Sequence, residues 1–370
     1  MLIARSVHPL PGEAERKERL LGLVDGFSSR RILVIGDLIA DEFIYGDVAR
    51  VSREAPVLIL KYDTTAMVAG GAGNAANNVA ALGGRARLVG LIGADPEGRR
   101  LLSSFHRGVE RAHVMRARGY RTPVKTRILA GGMHAARQQV VRIDRDSAWP
   151  LDDAVSRALA AKIEPALDSC DGVLLSDYGS GFVTPAVAGT IRRLVARRAR
   201  RRPIPVLLDS RYRLLDYRRL TTCTPNESEL ELVLGVRIDD DPAALERAGR
   251  LLLRRTGMQA VLVTRGSKGM ALFQPKQATI HVPIFGADEV TDVTGAGDTV
   301  IATFGLALAA GASFYEAARL ANYAGGLVVM KRGTATVSAR ELSHAVTSDH
   351  DTSIENWSQE GPPQGRRSKH

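Results

Sequence analysis

The chain is poor in cysteine, with only Cys170 and Cys223, and poor in aromatics at 5%; it has just 8 lysines against 43 arginines. Two distant thiols cannot build a disulfide framework or a zinc ribbon, so reduced cysteines and a cytoplasmic setting are expected. No apolar run is long enough for a membrane-spanning helix, so no membrane partner is expected. The opening residues hold Pro9, Pro11 and Gly12 and no apolar stretch of signal-peptide type, so no secretory leader is expected either. The histidines, His106, His134 and His281 among them, show no metal-ligand spacing and no triad partner, and neither they nor Trp149 and Trp357 are assigned a role.

What the chain does have is length, glycine and positive charge. Its 370 residues, 45% hydrophobic, suffice for one large α/β domain or two small ones, and 36 glycines suit a loop-rich enzyme better than a β-sandwich. The net charge of +11 includes the run RRLVARRARRR over 192–202. No aromatic residue interleaves that run, so it reads as a solvated helix face and not as a stacking platform for single strands; nucleic acid is not an expected partner.

Hydrophobic patterning alternates strand and helix. Residues 31–37 (RILVIGD) form a continuous apolar run ending in Gly-Asp, the mark of a buried parallel strand opening onto a functional loop. Further buried strands are expected at 87–92, 172–176, 205–209, 221–224 and 260–264, with helices near 14–23, 152–168, 184–201, 226–234, 242–256, 298–310 and 314–331. Short strands at 43–45 and 57–60, broken by Gly46 and Pro56, and a hairpin of 125–130 with 138–143 read as a lid. A second hairpin is expected at 270–273 and 279–282. The organisation expected is a helical extension over 1–30, one domain over 31–345 with its lid at about 38–66 and 119–145, and a disordered tail over 346–370.

Three segments carry chemistry. The run DVTGAGDT over 292–299 precedes an apolar helix. Gly295 and Gly297 let backbone approach a ligand, and the helix start offers free N–H groups and a positive dipole end to phosphate. Asp298 there can take a proton from an attacking hydroxyl; alternatively it is a plain N-cap. The run GGAGNAANN over 70–78 would let a polyol lie against backbone, with Asn74 bonding hydroxyls; alternatively it is a small-residue loop before a tightly packed helix. It matches neither a Walker A loop nor the dinucleotide glycine pattern. In TPNESE over 224–229, Asn226 and Glu229 share a helix face and suit Mg²⁺ through water, or they form a capping box, which taken alone is the stronger reading.

Together, and in this order, the three resemble the ribokinase-like family, the PfkB carbohydrate kinases. Gly70 through Asn74, Ala76 and Gly83 to Gly93 match its N-terminal signature, and 292–298 its C-terminal one, with Thr303 standing where a small residue is usual. The resemblance spans roughly 30–340 and implies a three-layer α/β/α fold with a mostly parallel sheet and a small β lid. Within the family, 36–37, 45–47, 52–57, 142–144, 176–178, 224–229 and 331–337 look most like bacterial heptose 7-phosphate kinases. Ser180 stands where those kinases carry lysine, Ser210-Arg211 where they carry Pro-Lys, and Arg53 where they carry proline.

The resemblance implies ATP and Mg²⁺ as cofactors and Asp298 as base, with the amides of Gly295, Ala296 and Gly297 as anion hole. It places Asn226, Glu227, Ser228 and Glu229 at the ATP phosphates, with Asn226 and Glu229 at Mg²⁺ through water. Adenine is expected near Thr264, Gly266, Gly269 and Asn322, and sugar hydroxyls on Asp37, Gly70, Gly71, Asn74, Asp144 and Asp177. A substrate carrying its own phosphate needs cations, and Lys125, Arg127, Arg142 and Arg211 are the candidates. A homodimer through the lid is also implied. Two alternatives stand beside this reading: a kinase for another sugar or nucleoside, and a non-catalytic sugar- or nucleic-acid-binding protein on the same scaffold.

Overall fold

The computed structural model describes residues 13–131, 137–147, 153–198, 203–286, 292–331 and 333–349. Along the chain the elements are α1 (Glu13–Asp25), β1 (Arg31–Gly36), β2 (Leu38–Val51), β3 (Leu58–Gly71), α2 (Ala72–Ala81), β4 (Arg85–Gly93), α3 (Pro96–Ser103), β5 (Val109–Glu110), β6 (Val114–Ala117), β7 (Val124–Gly131) and β8 (Gln138–Arg145). Then follow α4 (Asp153–Ala166), β9 (Gly172–Asp177), α5 (Pro185–Arg198), β10 (Val206–Ser210), β11 (Thr222–Cys223), α6 (Glu227–Leu234), α7 (Pro242–Thr256), β12 (Ala260–Thr264), β13 (Met270–Phe273), β14 (Ile280–Val282), α8 (Ala296–Ala310), α9 (Phe314–Val329) and α10 (Ala339–Ser348).

The central sheet runs β14-β13-β12-β11-β10-β9-β1-β4-β5, with β6 also on β4; every pairing from β12 to β5 is parallel, and β13 and β14 add an antiparallel edge. The continuous apolar run of β1 follows from burial on both faces. Ile32 and Val34 pack with Leu20 of α1, Val79 of α2, Phe304 of α8, Leu320 of α9 and Leu342 of α10. Leu33 and Ile35 pack with Leu159 of α4, Ile191 of α5, Leu230 of α6 and Leu252 of α7. Because the side-chain period of a strand is two, one run feeds both layers. The expected α/β/α sandwich is therefore present, and α1 adds Leu20, Leu23 and Val24 to its core.

The lid is a separate four-stranded sheet, β3-β2-β7-β8. Its first two strands are far longer than the short pieces expected. Gly46 does not end β2 but sits at a register shift, where a Cβ would lie 2.9 Å from the Lys61 carbonyl. The glycine pair 70–71 closes β3, so α2 starts directly at Ala72. The helix at α8 begins two residues before Asp298, and α3, β5, β6 and α10 were not anticipated. The expected tail begins inside α10, and from 350 onward it lies outside the described residues, as do 199–202 of the arginine run, His134, Trp149 and Trp357.

Candidate active site

A cleft of about 360 Å³ opens where the lid meets the carboxyl ends of the central strands, the place where open α/β sheets bind ligands. Its floor is the start of α8. Gly295, at φ +80°, caps the helix from the left-handed region, and a Cβ there would lie 2.6 Å from the Asn74 amide nitrogen. Only glycine fits both constraints. Gly297 lines the cleft too, but a Cβ there would meet nothing within 4 Å, so its smallness keeps the cleft open and does not shape the turn.

Asp298 is not the plain cap that was one reading of it. Its Oδ2 accepts from Asn74 Nδ2 at 2.8 Å and its Oδ1 from the Tyr178 hydroxyl at 3.1 Å, and the residue is only 4% exposed. Burial pushes its carboxyl up to about 7 despite those two donors, while the nearby Asp41 charge adds to the rise and Arg211 opposes it. Behind it, Asn78 Nδ2 donates to Asn74 O at 3.0 Å and Thr299 Oγ1 donates to Asn78 Oδ1 at 2.9 Å, tying α2 to α8. Thr303 turns its hydroxyl back to Thr299 O at 2.8 Å, which satisfies a polar group at a fully buried position.

The expected anion hole needs one correction. The Ala296 N–H is already given to Val293 O at 3.2 Å. Among the described residues, the N–H groups of Gly295, Gly297 and Asp298 itself have no backbone acceptor and remain for a ligand.

Asn226 and Glu229 line the cleft as a capping box: Asn226 Oδ1 accepts from the Glu229 N–H at 2.8 Å, and Glu229 Oε2 from the Asn226 N–H at 3.0 Å. Each keeps acceptor capacity beyond the cap. Glu229 is raised by burial, and Asp209, also in the lining, is raised well up by burial and by the Glu229 and Asp298 charges. Among the described residues no three carboxylate, histidine or cysteine groups converge closely enough for an all-protein metal cage. The donor set therefore fits a divalent cation held through water and a ligand's phosphates, the habit of Mg²⁺, and such a cation would relieve the mutual repulsion.

Of the four candidate cations, the two engaged ones are on the lid. Arg127 Nη1 meets Asp41 Oδ1 at 2.6 Å with both side chains nearly buried, and Arg142 forks onto Asp144 at 2.7 and 2.6 Å. Gly70 serves that arrangement, since a Cβ there would lie 2.3 Å from Asp41 Oδ2. Lys125 and Arg211 form no ion pair among the described residues; both sit over the Tyr178 ring, at 5.2 and 5.1 Å from its centroid. Lys125 is held below the usual lysine range by burial first, then by Arg211 and Arg142.

Several expected ligand residues lie outside the lining. Asp37 accepts the N–H groups of Tyr178 and Ser180 at 2.7 and 3.2 Å, with its other oxygen buried and unpartnered. Asp177 is taken up by Ser210, Tyr217 and the Gly179 N–H, and Asp144 by Arg142. Asn74 reaches Asp298 and not the open space. Glu227 pairs with Arg265 at 2.7 Å, Ser228 is exposed, and Asn322 donates to Pro283 O at 2.8 Å. Gly266 and Gly269 shape the turn after β12, so of the expected adenine contacts only Thr264 lines this cleft; 287–291 are outside the described residues. Sequence reasoning missed Tyr178, Asp41 and Asp209 as cleft residues. Tyr178 and Asp209 stand at the carboxyl ends of β9 and β10, and that position could have found them.

A parallel sheet sandwiched by helices, a β lid and a carboxylate at a glycine-capped helix start define a ribokinase-like fold. Solved structures agree. Ribokinase of Arabidopsis thaliana, complexed with ribose and ATP, superposes with a TM-score of 0.67 at 22% identity, covering 86% of this chain and 99% of that one. Phosphofructokinase-2 of Escherichia coli, in complex with potassium, gives 0.68 at 18%, covering 86% and 98%. The model of the pfkB family carbohydrate kinases matches residues 29–341, and the chain belongs to that family. Curated relatives include the bifunctional protein HldE of Trichlorobacter lovleyi, 41% identical over 334 residues, and that of Caulobacter vibrioides, 42% identical over 334 residues. The matches take in 89% and 90% of this chain but 66% of each relative, so the chain spans just under two thirds of their length.

Proposed function

We propose that the chain phosphorylates a sugar phosphate with ATP, converting D-glycero-β-D-manno-heptose 7-phosphate to the 1,7-bisphosphate. The observation that carries the reading is Asp298, a buried carboxylate with two side-chain donors, standing beside the free amides of α8 in a cleft whose far wall bears Lys125. Family membership, the similarity to bifunctional HldE proteins over their shared length and the segment resemblances support the choice of heptose.

Asp298 accepts the proton of the anomeric hydroxyl as that oxygen attacks the γ-phosphorus of ATP in line. The amides of Gly295, Gly297 and Asp298 receive charge spreading onto the transferring oxygens. Tyr178 and Asn74 aim the carboxylate. Asn226, Glu229 and Asp209 would hold Mg²⁺ through water, and the cation would screen the charge of the phosphates. Lys125 and Arg211 take the substrate's own phosphate in preference to Arg127, whose guanidinium is committed to Asp41.

The lid supports a homodimer. Val141 and Ile143 of β8 are 47% and 48% exposed and alternate with the cleft-facing Arg142, so an apolar stripe faces away from the site. The experiment for the reaction is a panel of sugars, nucleosides and sugar phosphates with coupled detection of ADP. Turnover is expected with heptose 7-phosphate; a silent heptose 7-phosphate beside a brisk second acceptor would overturn the substrate while leaving the kinase.

A further inference from the structure

A second cleft, of about 390 Å³, lies at the opposite end of the central sheet, lined by Arg31, Arg85, Arg87, Arg107, Gly108 and Glu110 among others. Arg31 and Arg85 open β1 and β4, whereas the active-site residues follow the far ends of the strands; a strand the length of β1 spans roughly 20 Å. Arg31 and Arg85 are direct cross-strand partners, and Arg87 lies two residues on, on the same face. Like charges placed opposite one another destabilise a sheet.

One of these charges is absorbed. Arg87 Nε meets Glu110 Oε2 at 2.9 Å, and its Nη1 donates to the carbonyls of Ala166 and Asp168 at 2.9 and 3.0 Å. Glu110, the carboxylate in the lining, is thereby used, and His113 also faces it at 3.6 Å. Asp171 nearby accepts the Arg31 backbone N–H at 2.9 Å and faces the Arg30 guanidinium at 3.6 Å. Among the described residues the guanidinium groups of Arg31, Arg85 and Arg107 make no ion pair and no hydrogen bond, and the lining holds no aromatic ring.

We propose that this cleft binds a small phosphate-bearing anion, recognised through its phosphate groups by Arg31, Arg85 and Arg107. Guanidinium forks match phosphate oxygens two at a time, and an anion seated between Arg31 and Arg85 turns their repulsion into attraction. With no ring for a base to stack on, the phosphates and not a nucleobase set the recognition. Such a ligand stabilises the folded chain by mass action.

The test follows the rise in Tm of the full chain at low ionic strength as pyrophosphate is added. Wild type and K125A, altered at the other cleft, are expected to respond alike. R85A/R107A is expected to need a roughly tenfold higher concentration for the same rise, because two charge-assisted contacts are gone. R85K/R107K, which restores charge, should recover part of the response, and ATP turnover by R85A/R107A without pyrophosphate should equal that of wild type. Only the ligand-induced rise is compared, so a lower starting Tm in a variant leaves the comparison intact. An unchanged response in R85A/R107A overturns the proposal. A response abolished by K125A, or one given by heparin and not by pyrophosphate, does so as well.

Discussion

Ile32 to Ile35 of β1 are 0% exposed, whereas all residues of β8 in the lid are exposed. The first strand is fixed by packing on both faces; the second is held by ladder bonds and by ion pairs such as Arg145 with Glu42 and Glu97. The groups that act on the transferred phosphoryl in the proposed reaction stand on the packed body, at the end of β9 and the starts of α6 and α8. The lid supplies Lys125, which with Arg211 at the end of β10 would choose the acceptor. A buried base needs its donors fixed within a fraction of an ångström, while substrate selection tolerates a sheet that opens and closes. Changes around Asp298 on the body should therefore act on kcat, and changes at Lys125 on the lid on KM.

Apart from Asp298 itself, the largest separation is expected from Asn74→Ala. It removes the 2.8 Å donor from Asp298, leaves a buried charge short of one partner and should lower kcat by about 10- to 100-fold. Because that donor favours the charged carboxylate, its loss should also move the rising limb of the pH–rate profile upward from about 7. A kcat within twofold of wild type, measured by ADP release, breaks the comparison on the body side. Next in size, Lys125→Ala should raise KM for the sugar phosphate about tenfold with little change in kcat. A kcat loss with KM unchanged would move Lys125 from the acceptor to the transferring group.

The smallest effect expected is on the cap. Asn226→Ala should cost about 1 kcal/mol of stability by denaturant unfolding, because the Asn226 side chain receives the Glu229 N–H. Its effect on the Mg²⁺ dependence of turnover shows whether the cap also serves the metal. A variant that loses stability with an unaltered Mg²⁺ requirement confines Asn226 to capping.

The central strands were legible in the sequence, because a doubly buried strand must be apolar at every position; α8 was legible as an apolar run after a glycine turn, though it starts at Ala296 and not at Asp298. The lid strands are longer than their sequence suggests because Gly46 resembles a breaker, and only the partner strand reveals that Gly46 stays paired, with Asp63 opposite it as the extra residue. Asp37, Asp144 and Asp177 show the limit most clearly. As acidic residues in or just after strands they are indistinguishable in sequence from Asp209, yet hydrogen bonds from distant segments such as Ser210 and Tyr217 occupy Asp177 and leave Asp209 facing the cleft. Which carboxylate is spent on structure depends on contacts far apart along the chain.

The most direct test of the central claim is the paired measurement of ADP release and Tm for Asp298→Asn at pH 8. The folded carboxyl titrates near 7 against 3.8 for an ordinary aspartate. The folded state therefore holds the proton more tightly, and stability falls as pH rises between those values. The amide substitute removes that buried charge, so turnover should fall about 10²- to 10⁴-fold while Tm stays level or rises. Turnover near that of wild type in a well-folded variant would contradict the role given to Asp298.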